Sequence, residues 1–244
     1  MGRPEELNQA FAELAETLVG AFDLAETLER VLGCCVDACG AAGAGIVIED
    51  GHGKLRDIAY SDDRVRRLER LQVQINEGPC VDCVRLGHPV VAVDLIGARD
   101  RWPRFAEAAA ESGYLAVRAM PLRFYGRTVG ALNIFGHDGA ECAEERLPTA
   151  QAFADLAMVA IIQHSHAEES PALHITQALA ARSAIEQAKG MLAEDGGLTV
   201  AQALTALRAH AARTGQGITR LARAVVRGDV GTEDVLVTRP TEPR

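Results

Sequence analysis

The chain has 244 residues, 48% hydrophobic and 24% charged, with a formal net charge of −9. That balance excludes a disordered chain, and the length suits one large domain or two smaller ones that need no disulfide or metal to fold. The most apolar stretch, Ala150 to Ile162, is too short to span a bilayer and carries Asp155, and the acidic start with Glu6 matches neither a secretory signal nor a myristoylation site, so a cytoplasmic protein is expected.

From Glu5 to about Cys39 the pattern is helical: Leu7, Phe11, Leu14 and Leu18, then Leu24, Leu28, Val31 and Leu32, recur at helical spacing. The glycines of 40–45 break the run and Ile46-Val47-Ile48 predicts a strand. Asp50-Gly51-His52-Gly53 is a hairpin turn into a second strand, Leu55–Tyr60. Ser61-Asp62-Asp63 can cap a short helix, Arg64–Arg70. Further strands are predicted at Val73–Ile75, Val90–Leu95 and Ala116–Leu122, and Phe124-Tyr125-Gly126-Arg127 turns into a last one, Thr128–Phe135. A leading helix, about six strands and a closing helix predict an α+β domain over 1–147 with a mostly antiparallel sheet.

Residues 148–171 read as a connector, helical from Pro148 to about His166, with Pro171 tolerated in the first turn of the next helix. Residues 172–227 predict three helices. In the first, Ala178, Ala181, Ile185, Ala188 and Leu192 form an apolar seam that Gly196-Gly197 ends. Thr199 and Gln202 have capping-box spacing for the second, with Val200, Ala203, Leu204, Leu207 and Ala211 on its apolar face. Gly215 and Gly217 precede the third, marked by Ile218, Leu221, Ala222 and Val225. The tail 228–244 reads as disordered. A bundle of this size is marginal alone and is expected to lean on a second copy or on the preceding helix.

Charge divides the chain. Residues 1–169 carry a balance of −11 and residues 170–244 one of +2, and every Phe, Tyr and Trp lies at or before Phe153. Only the C-terminal part can favour a polyanion. There Arg220, Arg223 and Arg227 share one side of the third helix, and Arg182, Glu186 and Lys189 share a side of the first, opposite the seam. The bland alternative is a solvated face. Lacking aromatics, this part cannot stack bases on Phe, Tyr or Trp, which leaves phosphate contacts and Arg or small-residue contacts to splayed bases.

The six cysteines are not a disulfide framework in this compartment. Cys80-Val81-Asp82-Cys83 has the spacing of dithiols and metal sites and is placed at a helix start, which favours a thiolate. Three readings stay open: structural thiols, a redox-responsive pair Cys80 and Cys83, or metal ligation. Cys35 and Cys39 form a less typical second pair, and no histidine has metal-ligand spacing with any of them. Motifs for nucleophilic catalysis, metalloproteases, Walker phosphate loops and kinases are absent, so no catalytic residue and no metal site is assigned.

Arg182-Ser183-Ala184-Ile185-Glu186-Gln187-Ala188-Lys189-Gly190-Met191-Leu192 resembles the opening of an ANTAR domain. Ala201-x-Ala203-Leu204-x-x-Leu207-Arg208-x-x-Ala211 and Ile218-x-x-Leu221-Ala222-x-x-Val225-Val226 keep that family's three-helix pattern. Leu204 stands where many members have an aromatic, and Thr214-Gly215 where an Asn is common. Asn76-Glu77-Gly78-Pro79-Cys80, Gly87-x-Pro89-Val90 with Val93-Asp94-Leu95, and Gly130-Ala131-Leu132-Asn133-Ile134 resemble a GAF domain of the kind found ahead of ANTAR domains in actinobacteria.

The ANTAR resemblance implies a transcription antiterminator that binds, as a homodimer, paired hairpin loops of nascent RNA. Arg182, Gln187, Lys189, Gly190, Arg208, Arg213, Thr214, Arg220 and Arg223 are then the candidate RNA-binding residues. The GAF resemblance implies a small-molecule or redox sensory domain and names no cofactor. Two alternatives remain: a GAF-fold thiol enzyme of the methionine sulfoxide reductase kind, and a three-helix DNA-binding regulator.

Overall fold

A computed structural model describes residues 4–20, 22–50, 52–142, 144–164 and 171–236. They fall into two compact units, 1–22 with 27–179 and 23–26 with 180–244. Among the described residues no helix is long and apolar enough to cross a membrane.

The larger unit contains α1 (Pro4–Val19), residues 27–39 of α2 (Leu24–Cys39), β1 (Gly43–Glu49), β2 (Leu55–Tyr60), α3 (Asp63–Ile75), α4 (Pro79–Leu86), β3 (Val90–Ala92), α5 (Pro103–Glu111), β4 (Ala116–Phe124), β5 (Arg127–Gly136) and α6 (Leu147–His164). The five strands run in the order β2-β1-β5-β4-β3 with every neighbouring pair antiparallel. β5 is thus central. Its alternation puts Ala131 and Phe135 in one core with Val65 and Leu68 of α3, Val81 of α4 and Phe105 of α5. On α6, which packs along β4, Phe153 is buried and stacks on Phe11 of α1 with ring centroids 4.6 Å apart. The β4–β5 turn puts Tyr125 at φ 46° and Gly126 at φ 79°, the left-handed pair that a tight hairpin with the sheet's twist requires.

Several expectations are corrected here. The helical run from Glu5 to Cys39 is two helices, separated around residues 20–23. The expected strand Val73–Ile75 is the last turn of α3, because Val65, Leu68, Glu69 and Gln72 recur at helical spacing on one buried face. That single packed face outweighs the β-propensity of a three-residue run. The sheet accordingly has five strands, not six. α5 was not anticipated: Pro103 begins it, and the Glu77 carboxylate accepts from the Arg104 and Phe105 N–H groups at 2.8 and 2.9 Å. Asp62 alone caps α3, accepting from Arg64 and Val65 N–H.

The smaller unit is built from residues 180–196 of α7 (Pro171–Gly196), with α8 (Val200–Thr214), α9 (Ile218–Arg227) and α10 (Thr232–Leu236). Ile185, Ala188 and Leu192 of α7 meet Ala203 and Leu207 of α8 and Leu221, Ala222 and Val225 of α9 in one aliphatic core. Each fully buried Leu or Ile there contributes roughly 1.5–3 kcal/mol of transfer free energy. Thr199 and Gln202 form the reciprocal capping box, and Gly215 ends α8 in the left-handed conformation. Leu204 is half-buried against this core, so an aliphatic side chain fills the position where an aromatic is common. The tail differs from its expected disorder at α10, where Val235 is buried in the same core; residues 237–244 lie outside the described residues, as does the junction 165–170 after α6.

Candidate nucleic-acid interface and sensory site

The nine RNA-binding candidates do not share one environment. On α9, Arg220 and Arg223 are exposed and, among the described residues, neither pairs with a carboxylate; Arg227, a turn further on, reaches Asp229 at 2.8 Å. On α8, Arg208 and Arg213 are exposed, and an Arg213 Nη2 donates to the His210 Nδ1 at 2.8 Å. Thr214 turns its hydroxyl back onto the His210 carbonyl at 2.9 Å, so it serves the end of its own helix while staying exposed.

On α7 the basic side expected opposite the seam is not exposed. Arg182 and Lys189 are only 6% and 4% exposed. The Glu186 carboxylate lies between them, 2.9 Å from the Arg182 guanidinium and 3.0 Å from Lys189 Nζ. Spacing by three and four put the acid within reach of both bases, and burial then made the pairing the favourable way to hold all three charges. The exposed line of α7 instead runs through Ser183, Gln187, Gly190 and Met191 to Glu194 and Asp195.

Gly190 is the unusual member of that line. A Cβ built on it would meet nothing within 4 Å. A glycine inside an exposed helix costs about 1 kcal/mol relative to alanine, and no neighbour in the described structure requires its absence of a side chain. The exposed Met191 beside it was not singled out by sequence reasoning; its only signal was its place at the outer edge of the seam.

In the larger unit the Asn76–Cys80 segment joins three helices. Asn76 ends α3 with φ 52°, Glu77 caps α5, and Pro79 opens α4. Gly78 has φ 129°, and a Cβ there would sit 2.4 Å from the Gln72 Oε1, so this position requires glycine. The same Gln72 oxygen accepts the Cys80 N–H at 3.0 Å.

Cys80 and Cys83 follow on α4 and both are fully buried. Burial raises the Cys80 thiol well above its ordinary range, with the neighbouring Glu69 carboxyl adding to it, and pushes Cys83 up to about 12. The start of α4 therefore does not yield the thiolate expected there; desolvation exceeds the helix effect. Among the described residues no group of His, Cys, Asp or Glu is arranged to hold a metal ion.

One buried cluster escaped the sequence reading, around Glu69, and a second surrounds the cysteine pair Cys35 and Cys39. Glu69, fully buried on α3, accepts from Asn133 Nδ2 of β5 through both carboxylate oxygens and from Gln72 Nε2 at 3.2 Å. Burial raises its carboxyl to about 8, against the opposing Asn133 hydrogen bond. On α2, Cys35 and Cys39 hydrogen-bond one turn apart. That bond raises the Cys35 thiol and, with the Arg118 and Arg146 guanidiniums, holds Cys39 below its ordinary value against the opposing pull of burial. Cys142 lies near the same guanidiniums and is pushed up to about 11 by burial.

Residues 21–162 match the family model of the GAF domain, more than half of the chain, and residues 173–226 match that of the ANTAR domain. The chain belongs to the GAF family and carries an ANTAR domain. The larger unit of this GAF–ANTAR protein is similar to the GAF domain of an Acinetobacter phosphoenolpyruvate-protein phosphotransferase, with TM-score 0.53 and 14% identity over 70% of this chain and 99% of that one. It is also similar to the GAF domain of the Coxiella burnetii phosphoenolpyruvate-protein phosphotransferase, with TM-score 0.52 and 19% identity over 68% and 98%. A free methionine-R-sulfoxide reductase from Neisseria meningitidis aligns with TM-score 0.48 and 14% identity over 67% and 93%. At these identities the likeness to the two phosphotransferase GAF domains is one of fold. No curated protein matches the chain. A sensory domain followed by an ANTAR domain is the arrangement of a signal-regulated ANTAR regulator, and the GAF–ANTAR protein has it.

Proposed function

We propose that the GAF–ANTAR protein is a transcription antiterminator of the cytoplasm. Its ANTAR domain binds paired hairpin loops of nascent RNA as a homodimer, and its GAF domain sets when that happens in response to a small-molecule or redox signal. The observation that carries this reading is the pair Arg220 and Arg223, exposed on one face of α9 and, among the described residues, not paired with a carboxylate, inside the segment that matches the ANTAR model.

With Arg208 and Arg213 of α8, these cations supply phosphate contacts. Gln187 and Gly190 of α7 supply a surface that a loop can approach closely, and Thr214 stands next to Arg213 at the end of α8. Arg182 and Lys189 act through Glu186, holding α7, rather than as free cations. One such patch neutralises few phosphates, so two copies on two loops gain affinity through the second, intramolecular contact.

The test is fluorescence anisotropy of the full chain with a tandem-hairpin RNA across a salt series, against duplex DNA of equal length. Arg220→Ala with Arg223→Ala is expected to weaken RNA binding and to lower the salt slope by about 0.7 for each phosphate no longer neutralised. Equal affinity for duplex DNA, or RNA binding unchanged in the double variant, defeats the reading.

The thiol-enzyme alternative gains nothing from Cys80 and Cys83, which are fully buried and whose thiols burial raises.

A further inference from the structure

The GAF sheet has a cavity of about 490 Å³ at the β2 edge, between the β1–β2 hairpin, the last turn of α3 and the outer side of α4. Its floor includes Leu55 of β2, Val73 of α3 and Val84 of α4, and its rim carries Lys54, Arg56 and Arg85. Among the described residues no carboxylate lines it. That is unexpected in residues 1–169, where acids outnumber bases to a balance of −11.

Two of the three rim cations have a carboxylate beside them outside the lining, Asp50 at Arg56 and Asp82 at Arg85, and each acid is shared with other donors. Asp50 accepts from the His52 and Lys54 backbone N–H groups at 2.9 and 3.0 Å besides the Arg56 Nε at 3.2 Å. Asp82 is held by Arg101 at 2.7 Å and by the Trp102 indole N–H at 3.1 Å, and keeps a longer ion pair with Arg85 at 3.6 Å. Lys54 has no ion pair among the described residues. A volume of this size with an apolar floor and a few convergent charges has the make-up of a small-ligand site, and its charge selects the sign of the ligand.

We infer that this cavity is a binding site for a small organic anion with an apolar body, an aryl or alkyl carboxylate or phosphate. The apolar part rests on Leu55, Val73 and Val84, and the acid group meets Lys54 and Arg85. Such a ligand ties β2 to α3 and α4. One turn back along α3 lie Glu69 and Gln72, which bond Asn133 at the centre of the sheet and Cys80 on α4, so the site adjoins the buried polar cluster of the domain. The assignment deepens the sensory reading given above and rests on it for its biological meaning.

The experiment is calorimetric titration of the full chain with benzoate and with phenylphosphonate, using benzamide as the uncharged analogue and inorganic phosphate as the anion without an apolar body. Saturable one-to-one binding of the two aryl anions is expected, with benzamide and phosphate at least about tenfold weaker. Lys54→Glu and Arg85→Glu, both at exposed side chains, are each expected to weaken the aryl anions by about tenfold or more. Benzamide binding as tightly as benzoate, reversal variants that bind unchanged, or no saturation by either aryl anion at millimolar concentration overturns the site. Binding with no change in RNA affinity keeps the site and removes the sensory reading. A different small molecule that shifts RNA affinity without competing with benzoate keeps the sensory reading and removes the site.

Discussion

The side-chain nitrogen of Asn133 lies 2.9 and 2.8 Å from the two carboxyl oxygens of Glu69, so one amide from the central strand spans a buried acid on α3. Asn133 and Glu69 are 64 residues apart, and both are fully shielded from solvent. Desolvation raises the acid to about 8 from its ordinary 4.5. Between those values the native state keeps a proton that the unfolded chain has released, so stability is full below about 4.5, falls as pH rises, and levels off above about 8. Denaturant titrations of the full chain through this window should show that fall, and Glu69→Gln should flatten it. Parallel profiles for the two proteins would assign the slope to another group.

Gly190→Ala separates fold from function in the ANTAR domain. The added methyl meets nothing within 4 Å and improves helix propensity, so the variant is expected to be more stable by about 0.5–1 kcal/mol. If a loop approaches this face closely, the same change weakens RNA binding. A variant that is more stable and binds RNA as well as the parent would take Gly190 out of the proposed interface.

The thiols should differ in reactivity. Cys34 is half-buried, whereas Cys80 and Cys83 are fully enclosed and raised by burial. Timed alkylation of the native protein with iodoacetamide, read by peptide mass spectrometry, is expected to label Cys34 first and to leave Cys80 and Cys83 unmodified until denaturant is added. Rapid labelling of either would restore the redox-pair reading that burial argues against.

Thr199→Ala removes the hydroxyl that accepts the Gln202 N–H at 3.2 Å and so opens the capping box of α8. A loss of about 1 kcal/mol is expected in ANTAR-domain stability, with amides of the first turn of α8 exchanging faster than the rest of the helix. Uniformly faster exchange across α8 would show that the cap acts on the whole bundle.

Much of this protein is set by neighbours along the chain. A capping box, a glycine after the last turn and apolar residues at three- and four-residue steps placed α8 and α9, and the same periodicity put Arg220 and Arg223 on the outer side, because helical hydrogen bonds and side-chain direction depend on residues within one or two turns. The antiparallel order of β4 and β5 was readable for a similar reason: a two-residue left-handed turn dictates the pairing on either side of it.

Distant residues decided the rest. Val73–Ile75 is β-prone in isolation and becomes helix because Leu68, Glu69 and Gln72 before it pack on the sheet. The fates of Cys80, Cys83, Arg182 and Lys189 depend on whether water reaches them, which no local spacing expresses. Glu69 acquired its proton only when the packing of the sheet and helices removed solvent from it, against the opposing hydrogen bond from Asn133. Local hydrogen bonding is short-ranged and so written in sequence spacing; dielectric environment is the sum of everything packed nearby, and exists only once the chain has folded.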